Sequence, residues 1–227
     1  AVAIGRDAMN TGIYTGGDAV AIGRATLQNL TTGSDNIAIG GLALDANTTG
    51  ASNVALGKEA LTTNTTASNN TAVGASALRL NTTGTLNTAV GTGSLASNTT
   101  ANYNTAVGNN ALTANTTGAA NVAVGALALD ANTTGFSQVG VGYGALTSNT
   151  TGYDNAAFGV NALGANISGL SNTAVGNYAL DANTTANNNT AVGYLSLSAN
   201  TTGHSNTASG VNTLLLNTTG TQNTALG

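Results

Sequence analysis

A single period governs this chain. In its cleanest form it runs Asn104-Thr105-Ala106-Val107-Gly108, two free positions, Ala111-Leu112, two more, then Asn115-Thr116-Thr117-Gly118, and it restarts at Asn121, 17 residues after Asn104. Copies begin at Ala1, Ala19, Asn36, Asn53, Asn70, Asn87, Asn104, Asn121, Gln138, Asn155, Asn172, Asn189 and Asn206, and a five-residue stub, Asn223–Gly227, follows them. The first copy is one residue long and irregular: Met9 stands where Leu is usual, and Thr11-Gly12-Ile13-Tyr14 replaces the Asn-Thr-Thr turn. Self-similarity at a fixed period of this size marks a stacked-repeat architecture. Residues 1–227 therefore read as one array of thirteen coils plus a partial one, with no linker and no second domain, and as a section of a longer fibre.

Positions are numbered one to seventeen from the residue that opens each copy. Gly holds position five in all fourteen occurrences, from Gly5 to Gly227. Gly fixed at one phase calls for a backbone with φ > 0 or an approach that excludes Cβ. Position four is nearly always Val, Ile or Leu, and position nine is Leu in every full copy after the first. Position three is Ala except at Gly140, and position eight is Ala, Ser or Thr, while six, seven, ten, sixteen and seventeen vary.

This pattern predicts two short strands per copy, over positions two to four and eight to eleven. Alternation puts two and four on one face and Ala at three on the other. Val107 and Leu112 are then expected to fill the interior, with Ala106 and Ala111 permitting close packing. Phe158 beside Ala156 reads as volume conserved within that interior, and Ser209 as a loss of bulk that Leu214-Leu215-Leu216 restores nearby. Gly at five begins the first turn and Asn-Thr-Thr-Gly forms the second. A helix is excluded, because Gly, Asn and Thr recur too densely and no apolar stripe of 3.6 spacing survives two turns.

One copy cannot bury its Val and Leu alone, but stacked copies can, each strand pairing with the same strand of the next coil. The expected fold is thus an all-β parallel β-solenoid of 17-residue coils. With coils about 4.8 Å apart, thirteen span roughly 60 Å. Stacking also explains why only 5% of residues are charged. Two like charges about 4.8 Å apart repel by roughly 1 kcal/mol even in water, so a charged column accumulates repulsion. Asn and Thr columns gain hydrogen-bonded ladders instead. The net charge of −4 gives no footprint for nucleic acid. No run of eighteen apolar residues is present, so no membrane contact is expected from this segment. The absence of Cys excludes a disulfide scaffold.

Ala19-Val20-Ala21-Ile22-Gly23, Asn36-Ile37-Ala38-Ile39-Gly40 and Asn53-Val54-Ala55-Leu56-Gly57 resemble the head repeats of YadA-like trimeric autotransporter adhesins, approximately S-V-A-I-G-x-x-A. The later copies, with Asn-Thr-Ala-Val-Gly and Asn-Thr-Thr-Gly, resemble the repeat shafts of tail-fibre-domain proteins. The resemblance covers the whole chain. It implies a left-handed β-roll, a homotrimer around one axis, and an extracellular location. The implied function is structural or adhesive, a spike or fibre on a bacterial cell surface meeting a host surface, glycan or matrix receptor. The alternative is a bacteriophage tail-fibre shaft. The copy here is longer than the adhesin head repeat by about three residues, which the Asn-Thr-Thr turn supplies.

The sequence offers no catalytic constellation, cofactor motif or metal site. His204 is the only His and sits in a free column, where it reads as an exposed turn residue. Asp45, Asp130 and Asp181 share position ten but lie in distant copies. No hexapeptide series of the acyltransferase β-helix kind is present, since seventeen is not a multiple of six. The Asn-Thr-Thr turns, counting Asn166-Ile167-Ser168, supply eleven glycosylation sequons, from Asn47 to Asn217, and these Asn read as turn and ladder residues. The best binding candidates are Phe136 and Tyr153, at position sixteen of consecutive copies, with Tyr143 following the intervening Gly. They form a possible ligand or partner patch, since exposed aromatics hold sugar rings or a protein partner. Thr at position two in half of the copies raises ice binding as a third, weaker class.

Overall fold

Each copy contributes one strand. The computed structural model describes residues 1–12 and 14–227, so the Ile13 part of the irregular first turn lies outside the described residues. The chain forms two compact units. The unit Ala1–Thr117 holds β1 (Val2–Ile4), β2 (Ala19–Ile22), β3 (Asn36–Ile39), β4 (Val54–Leu56), β5 (Thr71–Val73), β6 (Thr88–Val90) and β7 (Thr105–Val107). The unit Gly118–Gly227 holds β8 (Val122–Val124), β9 (Val139–Val141), β10 (Ala156–Phe158), β11 (Thr173–Val175), β12 (Thr190–Val192), β13 (Thr207–Ser209) and β14 (Thr224–Leu226). Within each unit consecutive strands pair in parallel with equal positions opposite, as in Thr88↔Thr105, Ala89↔Ala106 and Val90↔Val107, or Thr173↔Thr190, Ala174↔Ala191 and Val175↔Val192. The fold is an all-β parallel solenoid of 17-residue coils, and no helix occurs among the described residues.

The second expected strand is not a strand. Positions six to eleven form a run of turns, Asn109–Ala114 in the copy at Asn104. The N–H of Ala111 donates to the carbonyl of Gly108 at 3.3 Å, and the N–H of Asn115 to that of Leu112 at 3.1 Å. Asn110 and Leu112, at positions seven and nine, have φ of 54° and 52°. Left-handed residues here solve a geometric problem. Ala111 and Leu112 are consecutive and both fully buried, whereas consecutive strand residues point to opposite faces. The cost of αL for a side-chain-bearing residue is about 1–2 kcal/mol. Full burial of a Leu returns about 1.5–3 kcal/mol, so the two nearly cancel and the ladder bonds tip the balance. Those bonds persist without a strand. Gly108 and Asn110 donate backward to Val90 and Thr92 at 2.8 and 2.9 Å, while Leu95 and Ser97 donate forward to Ala111 and Thr113 at 3.0 and 3.1 Å.

The faces of the remaining strand are also the reverse of the expectation. Ala106 is fully buried, while Val107 is 37% exposed and Thr105 half-buried. Positions two and four face out, and Ala at three faces in. Phe158 is accordingly 42% exposed and Leu216 84% exposed, so neither compensates volume in an interior. The interior is lined instead by Ala at three, Ala, Ser or Thr at eight, Leu at nine, and two columns of Asn.

Those Asn columns are the main polar element of the core. At position one, Asn70 Nδ2 donates to the carbonyl of Gly84 at 2.8 Å and its Oδ1 accepts from Asn87. At position twelve, Asn81 Nδ2 donates to Asn64 Oδ1 at 3.0 Å and to the same Gly84 carbonyl at 2.9 Å. One carbonyl at position fifteen thus ties both ladders together within a coil. Buried amides demand this completeness, since an unpaired polar group costs about 1–3 kcal/mol. Gln138 replaces Asn once and keeps the scheme: its N–H donates to Asn121 Oδ1 at 3.0 Å, and its Nε2 reaches across to Asn132 Oδ1 at 3.1 Å.

Gly at five behaves as the sequence requires. Gly74 has φ of 135°, and a Cβ there would stand 2.5 Å from the carbonyl oxygen of Gly91 in the next coil. Ladder spacing and backbone angle each exclude a side chain.

Candidate interaction surfaces

Three surfaces carry the residues singled out by sequence. The first is the aromatic pair. Phe136 and Tyr153 stack with centroids 4.7 Å apart and planes 8° from parallel, because position sixteen recurs at the coil spacing. Their backbones are locked by the same ladder: Asp154 N–H donates to the Phe136 carbonyl at 3.3 Å, and Ser171 N–H to that of Tyr153 at 3.2 Å. Stacking covers one face of each ring and leaves Phe136 45% exposed, so the pair keeps apolar surface for a sugar or protein partner. Tyr143 is 54% exposed but follows the end of β9, whereas Phe136 precedes its start. The structure joins Phe136 with Tyr153 and places Tyr143 across β9 from them.

Sequence reasoning passed over a second aromatic contact. Tyr178 and Tyr194 meet edge to face, with centroids 6.4 Å apart and an interplanar angle of 84°. They occupy positions seven and six of adjacent copies, which places them beside the ends of β11 and β12. The signal available was column adjacency: positions six and seven lie on the same edge, although they are different columns.

The second surface is the outward face of the strands themselves. No charged residue occupies position two or four in any copy. In β1–β4 both positions are aliphatic, and Ile37 and Ile39 are 41% and 39% exposed. From β5 to β7 position two becomes Thr, giving an outward column of Thr71, Thr88 and Thr105 beside Val73, Val90 and Val107.

The third comprises the polar candidates, which fall into separate coils. His204 is exposed with Nδ1 3.3 Å from the hydroxyl of Ser205. Asp130 and Asp181 each accept a hydroxyl from position ten of the next coil, from Thr147 and Ser198, both at 2.6 Å. Asp45 differs. The corresponding Thr62 donates to the Leu42 carbonyl at 3.2 Å instead, and Asp45 Oδ1 is buried without a partner. Burial, with a smaller push from Glu59, raises its pKa above the usual carboxylate value despite backbone hydrogen bonds that lower it. Glu59 itself pairs with Lys58 at 3.3 Å. The sequon Asn residues from Asn47 to Asn200, such as Asn64, Asn81 and Asn98, are fully buried with their amides bonded in the ladder, and no glycan fits on them in the folded state. Asn217 is half-buried, its amide bonded to Asn200 Oδ1 and the Gly220 carbonyl. Among the described residues no helix is long and apolar enough to cross a membrane.

Comparison of the chain with protein-family models, with curated proteins and with solved structures finds no match.

Proposed function

We propose that this chain is a section of an extracellular structural or adhesive fibre of a bacterial cell, assembled as a homotrimer of left-handed β-rolls and without enzymatic chemistry. The observation that carries the reading is the redundancy of the scaffold. Coil after coil repeats the same backbone ladder, the same two Asn ladders and the same fully buried Leu. Such a stack resists local opening because each coil's polar groups are held by the coils on either side. The uncharged, partly aliphatic outward strand face suits packing of one chain against another. The resemblance of the copies to trimeric adhesin heads points the same way, and resemblance to tail-fibre shafts keeps a phage fibre as the alternative, with the host surface as target in either case. Light scattering on the purified, folded chain tests the assembly. A three-chain mass supports the reading, and a monomer overturns its trimeric part. Protease shaving and antibody labelling of intact source cells then separate a cell-surface fibre from a virion component.

One observation favours a second reading. The Thr71, Thr88 and Thr105 column faces outward on a regular parallel sheet beside a Val column, and regular arrays of hydroxyls and methyls order water. Thermal hysteresis in a solution of the purified chain tests ice binding, and its absence removes it.

A further inference from the structure

We propose that copies of this chain associate side by side, parallel and in register, through the outward face of β1–β4, with Arg24 of one copy seated between Asp18 and Asp35 of the next. The proposal rests on the multi-copy fibre reading and adds the face, the polarity and the residues that set it.

The argument starts from the two edges of the face. Position seventeen leads into each strand, and position six follows it after Gly. All strands in a unit run the same way, so every start edge lies on one side and every end edge on the other. In the aliphatic part of the face the start edge carries Asp18 and Asp35, and the end edge carries Arg6, Arg24 and Lys58. Arg6 and Lys58 are occupied by their chain neighbours, Asp7 at 3.7 Å and Glu59 at 3.3 Å. Among the described residues Arg24, Asp18 and Asp35 are exposed and form no ion pair.

The acidic edge is also shaped. A shallow open depression lined by Asp18, Ala19, Val20, Asp35, Asn36 and Ile37 lies there. Its floor is aliphatic and its rim carries two carboxylates one coil apart. That combination fits an arginine, whose methylene stem covers apolar surface while the guanidinium binds carboxylates. Tyr14 stands beside it as a neutral group. Its hydroxyl donates to the carbonyls of Gly17 and Gly33 at 2.6 and 3.1 Å. Burial, and then the charges of Asp35 and Asp18, raise its pKa. Among the described residues, Arg24 on the opposite edge is the only exposed Lys or Arg on this part of the face without an ion pair.

Symmetry then selects the arrangement. A rotation about an axis along the stack of coils brings the end edge of one copy against the start edge of the next, at the same height. Arg24, which follows β2, meets Asp18, which leads into β2, with Asp35 one coil away. A rotation about an axis across the stack brings aspartates against aspartates and Arg24 against Arg24. Like charges placed across an interface are strongly disfavoured. The aliphatic outward pairs lie in the same coils as these charges, so apolar burial and charge pairing reinforce one another.

The chain has no cysteine, which makes the test clean. Arg24→Cys and Asp18→Cys variants, both at exposed sites and both checked for wild-type circular dichroism, are refolded separately and as an equal mixture. Each is then treated with a short bis-maleimide. Cross-linked dimers are expected in the mixture and not in either variant alone. Dimers formed by a single variant would indicate antiparallel packing and overturn the proposal. So would the absence of cross-links in all three samples. Light scattering on the wild type separates the levels. A folded monomer removes the multi-copy part of the fibre reading together with this proposal, whereas a multi-copy mass without mixed cross-links removes only the pairing. As a second readout, Arg24→Glu is expected to weaken association at least tenfold. Combining it with Asp18→Lys and Asp35→Lys is expected to restore it, and failure to restore counts against the pairing.

Discussion

Asn70 Oδ1 accepts two hydrogen bonds from Asn87, one from its backbone N–H at 3.0 Å and one from Nδ2 at 3.2 Å. Asn87 then treats Asn104 the same way, its own Oδ1 accepting the Asn104 N–H at 3.0 Å. The side chain thus replaces a backbone carbonyl at the one position where the strand ladder has not yet begun. Asn87→Ala removes the acceptor for Asn104 N–H and one donor to the Ala101 carbonyl. The expected loss is about 2–4 kcal/mol, from an orphaned buried donor and a small void. Denaturant unfolding of the variant checks it, and a loss below about 0.5 kcal/mol would mean that the ladder is incidental.

Two columns rich in glycine differ in what they require. Gly74, at position five, has φ of 135°, and a Cβ there would stand 2.5 Å from the Gly91 carbonyl oxygen. Gly84, at position fifteen, is crowded as closely, by the Ala101 carbonyl oxygen and by Asn81 Oδ1 at 2.5 Å, but its φ is not positive. Yet Ala67, Ala101 and Ala186 occupy that same column and are buried. Gly74→Ala is therefore expected to destabilise strongly, by about 2 kcal/mol or more, since the strain of a side chain in a positive-φ region open essentially to Gly alone adds to the clash. Gly84→Ala should cost less than about 1 kcal/mol. Thermal melts of the two variants side by side decide it.

Leu95 is fully buried with φ of 50°. A branched Cβ is poorly tolerated in the left-handed region. Leu95→Ile, ordinarily a mild core exchange of less than about 1.5 kcal/mol, is expected to exceed that here. Val73→Thr, on the outward face, should lie within about 0.5 kcal/mol of wild type. Equal effects of the two would contradict the assignment of faces.

Asp45 gives a pH dependence. Its folded pKa is raised, chiefly by burial. Below the unfolded pKa both states are protonated and no penalty exists. As pH rises from that value through the folded pKa, the unfolded state releases its proton first and stability falls; above it the penalty is complete. Asp45→Asn is expected to raise the melting temperature at neutral pH and to leave it nearly unchanged under acid conditions. A variant that gains nothing at neutral pH would contradict this.

Several structural facts were legible in residues that looked free. Positions seven and seventeen never hold Val, Ile or Thr, although those residues are abundant at two, four, thirteen and fourteen. Every described residue at position seven, from Asp7 to Asn212, and those at seventeen from Asp35 to Gln222, have positive φ. Position nine likewise holds Leu and never Ile. The missing β-branch was the signal for left-handed backbone, and it argues directly against a second strand. The candidate patch was legible only as column membership. That Phe136 and Tyr153 share position sixteen predicts contact, but not that the rings would stack in parallel. Arg24 opposite Asp18 and Asp35 required knowing that positions six and seventeen are the two edges of one face.

The sequence alone determined the period, the parallel register, the ladder of like residues and the need for Gly at position five. Each follows from translation by one coil, which maps every residue onto its equivalent and leaves no freedom in what sits above what. The tertiary structure decided which side of Thr-Ala-Val is inside. Alternation is symmetric: it separates two faces without saying which one encloses the core, and both Ala and Val are apolar enough for either. A coil closed by 17 residues has a narrow interior. Once Leu and two Asn columns occupy it, only an Ala methyl fits beneath the strand, and the larger Val and Thr must face out.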